Sequence, residues 1–103
     1  MKRQVLTDGS GRWFDLESAE VFDEDTRWNG RNKSSCATGS QWEHETLYRT
    51  KSDRWILSHK SQWEGHLPSW TEMEATAAAR WLSINGYEAH ETLQDADKEL
   101  EIS

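Results

Sequence analysis

Alternation of polar and apolar positions is clearest in the middle of the chain. Glu45 to Thr50 and Arg54 to Lys60 are rich in β-formers and flank Lys51-Ser52-Asp53, which predicts a hairpin within residues 41–63. With Ser52-Asp53 as the turn centre, Thr50 faces Trp55, Tyr48 faces Leu57, Glu45 faces Lys60 and Trp42 faces Trp63. That register pairs opposite charges and aromatics across the strands. One face then carries Trp42, His44, Thr46, Tyr48, Trp55, Leu57, His59 and Trp63; the other carries Leu47, Arg49, Ile56 and Ser58. Ser40-Gln41-Trp42-Glu43 recurs as Ser61-Gln62-Trp63-Glu64, and the register brings both copies to one end of the hairpin, where the tryptophans pack together.

Three other segments have a readable pattern. Val5-Leu6 and Arg12 to Leu16 flank Asp8-Gly9-Ser10-Gly11, a turn signal that predicts a hairpin over residues 4–16. Met73, Ala77, Ala78, Trp81 and Ile84 fall on one helical stripe. They predict a helix over about 71–84, opened by Thr71 with Glu74 or by Ser69 with Glu72 and stopped by Asn85-Gly86. Ala89, Leu93, Ala96 and Leu100 form a weaker amphipathic stretch, open to three readings: a docked helix, a partner-binding helix or a frayed tail. Ala19 to Phe22 fits strand or helix. Residues 29–40 read as loop, with turn chemistry at Asn29-Gly30, and so do Gly65 to Trp70, with the single proline.

The expected fold class is therefore α+β. A small antiparallel sheet of three to five strands has one helix packed on a face, through Trp81 and Met73, and a possible second helix at the C-terminus. Residues 1–87 make a single domain, and 88–103 an acidic helix or tail. The length of 103 residues fits one domain. Mean hydropathy of -1.00 pulls towards disorder. Seven tryptophans pull back, because each buries roughly 150–250 Å². Trp13, Trp55 and Trp81 are the expected core members, while Trp63 and Trp70 flank a loop and are candidate exposed anchors.

Charge narrows the function classes. Lys and Arg number 12 against 19 Asp and Glu, a formal charge of -7. That opposes a nucleic-acid binder driven by phosphate neutralisation and favours basic protein partners. Six acids and no base lie between Asp15 and Asp25, including the run Asp23-Glu24-Asp25. The single cysteine excludes an internal disulfide framework, and the absence of a secretory signal or membrane-spanning run points to the cytoplasm.

Gly39 to Glu45, Leu47-Tyr48-Arg49-Thr50, Arg54 to Leu57, Ser61 to Gly65 and Ala79-Arg80-Trp81-Leu82 resemble a pattern of short uncharacterised bacterial proteins, some of them borne on plasmids or other mobile elements. The resemblance covers about half the chain. It implies a bacterial cytosolic accessory protein and no catalytic residue.

Candidate chemistry is sparse. Cys36 lies in a small polar loop with no base placed beside it by spacing. His44 and His59 are diagonal neighbours in the expected register. With Cys36 or His66 they would make zinc ligands, but no compact ligand pair supports that, and neither a metal nor a cofactor is expected. Nothing marks a desolvated carboxylate for acid–base work. The expected role is a non-catalytic acidic protein that binds another protein, as an inhibitor or adaptor. Its carboxylates would imitate DNA phosphates, and its contact residues would be Trp63, Trp70, Asp23, Glu24 and Asp25. The alternative is a small nucleic-acid module using Arg49, Lys51, Arg54 and Lys60 with Tyr48 and Trp55. A homodimer is compatible with either.

Overall fold

The central hairpin is built from β6 (Glu43–Arg49) and β7 (Trp55–Ser61), antiparallel as expected but one residue out of the expected register. Arg49 faces Trp55, Tyr48 faces Ile56, and Glu45 faces His59. The loop explains the slip. Asp53 adopts φ +60, Asp53 N donates to Thr50 O, and Thr50 N donates to Arg54 O. That is a three-residue connection with its last residue left-handed, where the sequence suggested a two-residue turn. One extra loop residue exchanges the faces of one strand against the other. Leu47 therefore joins Trp55, Leu57 and His59, while Tyr48 joins Ile56 and Ser58. His44 faces Lys60, on the side away from His59.

A computed structural model describes residues 1–28, 30–63 and 65–102. Asn29 of the expected turn and Glu64 of the recurring tetrapeptide lie outside the described residues. Two more strands complete a four-stranded antiparallel sheet, β3 (Glu20–Asp23) outside β6 and β8 (Ser69–Met73) outside β7. Two ribbons stand apart from it: β1 (Arg3–Val5) with β2 (Trp13–Asp15), and β4 (Thr26–Trp28) with β5 (Lys33–Ser35). The class is α+β as expected; among the described residues there are eight strands, four in the main sheet and four in the two ribbons, where a single small sheet was expected. The extra strands come from segments read as loop or helix. Lys33–Ser35 lies in the expected 29–40 loop, and Ser69–Met73 takes the start of the expected helix. Thr71 and Met73 pair with Leu57 and Trp55, so neither proposed capping box forms.

The helix α1 (Ala75–Ile84) begins after Glu74, which makes no side-chain cap. Its end follows the sequence signal. Gly86, at φ +83, donates to Ser83 O, and Tyr87 N donates to Leu82 O. This is the paired closure that favours glycine just past a helix. The buried stripe is Ala78, Ala79, Trp81 and Leu82, while Ile84, expected on it, is exposed.

Three layers result. On one face of the sheet, Leu47 and Trp55 meet α1 and Leu93, with Phe22, Leu57 and Met73 at the margin. A short helix α2 (Gln94–Lys98) docks there too, with Ala96 and Leu100 against the same core. Within the amphipathic stretch 89–100, a 3-10 turn (Glu91–Leu93) leads into the docked α2. On the other face, β1–β2 lays Leu6 and Phe14 over Ile56, beside Tyr48 and Trp70. Trp55 and Trp81 are core residues. Trp13 is not: alternation along β2 sends Phe14 inward and leaves Trp13 half exposed beneath the Arg3 guanidinium, 4.1 Å from its ring.

Candidate partner-binding surface

The recurring Ser-Gln-Trp folds the same way twice. The Ser40 hydroxyl accepts from Trp42 N at 2.9 Å, and the Ser61 hydroxyl accepts from Trp63 N at 3.2 Å. Each serine makes a tight local turn that aims its tryptophan off the end of the sheet. Gln62 N donates to Trp42 O, extending the β6–β7 ladder to join the two copies. The indole centroids stand 6.1 Å apart at 51°, the expected contact between Trp42 and Trp63. Both rings stay open to solvent, at 45% and 60% exposure, around a cleft of about 220 Å³ that also includes Gln62.

A polar network holds this end of β6. Glu24 follows β3 and is nearly buried. Its carboxylate accepts from the Ser35 hydroxyl and from Glu45 N at 3.1 Å, and it meets His44 Nδ1 at 2.5 Å. Its hydrogen bonds replace the ladder where β3 peels away from β6, and they keep a carboxylate inside without leaving it unpaired. The serine and the imidazole engage different oxygens of this carboxylate. On the α1 side, Glu45 accepts from Trp81 Nε1 at 3.0 Å and meets His59 Nδ1 at 3.0 Å. The Glu45 hydrogen bond, reinforced by Glu43, raises the His59 pKa above its ordinary value.

These contacts revise the expected site. Asp23 and Asp25 are exposed, but Glu24 is not a solvated acid; it is committed to Ser35, His44 and Glu45. Trp63 is exposed as expected. Trp70 is half buried between Phe14 and Tyr48, with centroids at 6.0 and 5.4 Å. His44 and His59 project from opposite faces and serve different carboxylates, so they do not form the pair that a shared metal needs. Among the described residues, no group of three or more His, Cys, Asp or Glu is placed to hold a metal ion.

The four basic candidates are dispersed. Arg49 is held by Glu20 and Asp53, and Arg54 by Glu72. Lys51 sits at the hairpin tip beside Arg49 and Arg54, and Lys60 lies near the far end of β7, apart from the other three. Trp42 was absent from the expected contact residues, although the repeat was its signal. No protein-family model matches the chain, and no curated protein or solved structure matches it either. Among the described residues, no helix is long and apolar enough to cross a membrane.

Proposed function

We propose that this chain is a non-catalytic binding protein that docks another protein through Trp42 and Trp63. The observation that carries this reading is the pair itself. Two indoles in mutual contact are left open at a sheet end, each braced by its own serine. Such rings supply large contact area with little entropy to lose, and tryptophan is enriched among interface hot spots. The partner's contacting surface is basic. Glu74, Glu88, Glu91, Asp95, Asp97, Glu99 and Glu101 of the helical layer are opposed in that stretch by Arg80 and Lys98. The role is that of an inhibitor or adaptor in a bacterial cytoplasm, in line with the resemblance to accessory proteins of mobile elements. The nucleic-acid alternative is weakened, because Arg49 is paired with both Glu20 and Asp53 and Lys60 lies at the far end of β7 from Arg49, Lys51 and Arg54.

Capture with the tagged chain from source-cell lysate, at low and high salt, tests this beside a Trp42→Ser, Trp63→Ser double variant. The expected result is one dominant protein, weakened at high salt and lost with the variant. Truncating one hot-spot tryptophan costs about 2 kcal/mol or more, roughly thirtyfold in affinity. Equal capture by both proteins, or nucleic acid without a protein, overturns the reading; the second outcome favours the alternative.

A further inference from the structure

The face of the sheet opposite α1 carries a second concave feature. Leu6, Phe14 and Ile56 are buried side by side and form the floor of a groove of about 500 Å³, between the β1–β2 loop and the β6–β7 loop. Trp13 stands on its border, and Ser10, Thr50 and Ser52 contribute to its lining. On one wall two guanidiniums converge on one carboxylate. Arg54 Nε and Nη2 reach the Glu72 oxygens at 2.6 and 3.3 Å, and Arg12 Nη1 reaches Glu72 Oε1 at 2.9 Å. The far nitrogen of Arg12 lies 3.7 Å from Asp8.

An apolar floor with a few convergent polar groups is the usual constitution of a small-molecule site, and the volume lies within the usual range. Each guanidinium has five N–H donors, of which Glu72 takes two from Arg54 and one from Arg12. Donors remain, in a fork geometry that suits carboxylates. Glu72 itself shows the fit, since it occupies the arginines as an external carboxylate would.

We propose that this groove binds a small organic carboxylate. Its apolar or aromatic body lies on Leu6, Phe14 and Ile56 against Trp13, and its carboxylate is held by Arg12 and Arg54. Glu72 is the internal competitor that keeps both arginines aligned while limiting affinity. The site is separate from the Trp42–Trp63 pair, and neither reading depends on the other.

The test is an amide-detected NMR titration of the full chain with 3-phenylpropionate, its neutral amide 3-phenylpropionamide, and acetate. The expected result is saturable shifts at Leu6, Phe14 and Ile56 with the acid, about tenfold tighter than with the amide, and weaker binding still of acetate, which lacks the ring. Arg54→Gln and Arg12→Gln each weaken the acid about tenfold and leave the amide unchanged. Glu72→Gln strengthens the acid severalfold, the opposite sign to that of a merely structural residue. Equal binding of acid and amide, or no saturable shift below roughly 10 mM, overturns the proposal. So does a folded Glu72→Gln that binds more weakly. If Glu72→Gln fails to fold, the acid–amide comparison and the two exposed arginine variants decide.

Discussion

At the residue scale, carboxylates divide the molecule more sharply than their run in the sequence suggests. Asp23, Glu24 and Asp25 are expected together as partner contacts, yet the middle one turns inward to serve Ser35, His44 and the Glu45 amide. Nothing in the neighbours of Glu24 announces this, because its partners arrive from other strands. His59 is one residue through which pH acts. Its pKa is raised, first by the Glu45 hydrogen bond, so the folded state binds a proton more tightly than the unfolded chain does. The stabilisation is therefore complete below the unfolded value of about 6.5 and is lost as pH rises through the folded value. Urea midpoints of the parent and His59→Gln, measured from about pH 5.5 to 8.5, should differ most at the acid end and converge at the alkaline end. A gap that widens with pH would reverse the assignment. Glu72 has the opposite sign: Arg54, then Arg12, lower its pKa, so its contribution is lost only as pH falls through the lowered value.

At the scale of elements, the local signal at the end of α1 was legible, while those at its start and in the β6–β7 loop were misleading. Asn85-Gly86 marks the end of α1 because its closure is made by neighbours within a few residues. Gly86 has a required positive φ, and a Cβ there would meet only the Asp25 carboxylate, at an ordinary 3.6 Å. Gly86→Ala should therefore cost about 1 kcal/mol through backbone strain alone, read as a lower urea midpoint with an unchanged slope. A neutral result would mean that the helix end relaxes. The start of the helix was misread for a complementary reason. Thr71-x-x-Glu74 is a sound capping sequence, but Thr71 gains a ladder with Leu57, and pairing across the sheet overrides a local cap.

At the scale of the whole molecule, the sheet is a middle layer with different neighbours on its two faces. The overall extents of 43 × 41 × 21 Å suit three layers about 10 Å apart. Its outer edges are covered in part. Thr7 bonds both backbone groups of Trp70 on β8, and the Tyr87 hydroxyl donates to Asp23 O on β3. These contacts work against edge-to-edge pairing with a second chain. The N-terminal ribbon is held chiefly by Phe14, which is 7% exposed and meets the rings of Tyr48 and Trp70. Phe14→Ala should cost about 3–5 kcal/mol, a large share of the stability of a domain this size. A loss below about 1 kcal/mol, measured by urea unfolding, would show that the ribbon is not part of the cooperative unit.

The sequence by itself determined what depends on a few consecutive residues: the Asp8-Gly9 turn, the strand character of 45–60, the stop at Gly86, and the recurrence that brings Trp42 and Trp63 to one end of the hairpin. The α+β class followed from these. Tertiary structure decided register, facing and company. One left-handed residue, Asp53, lengthened a loop and moved Leu47 from one layer to the other. That register separated His44 from His59, while packing between distant segments hid Glu24 and brought Arg12, Arg54 and Glu72 together. Side-chain alternation has a period of two, so a single residue in a loop exchanges faces along a strand.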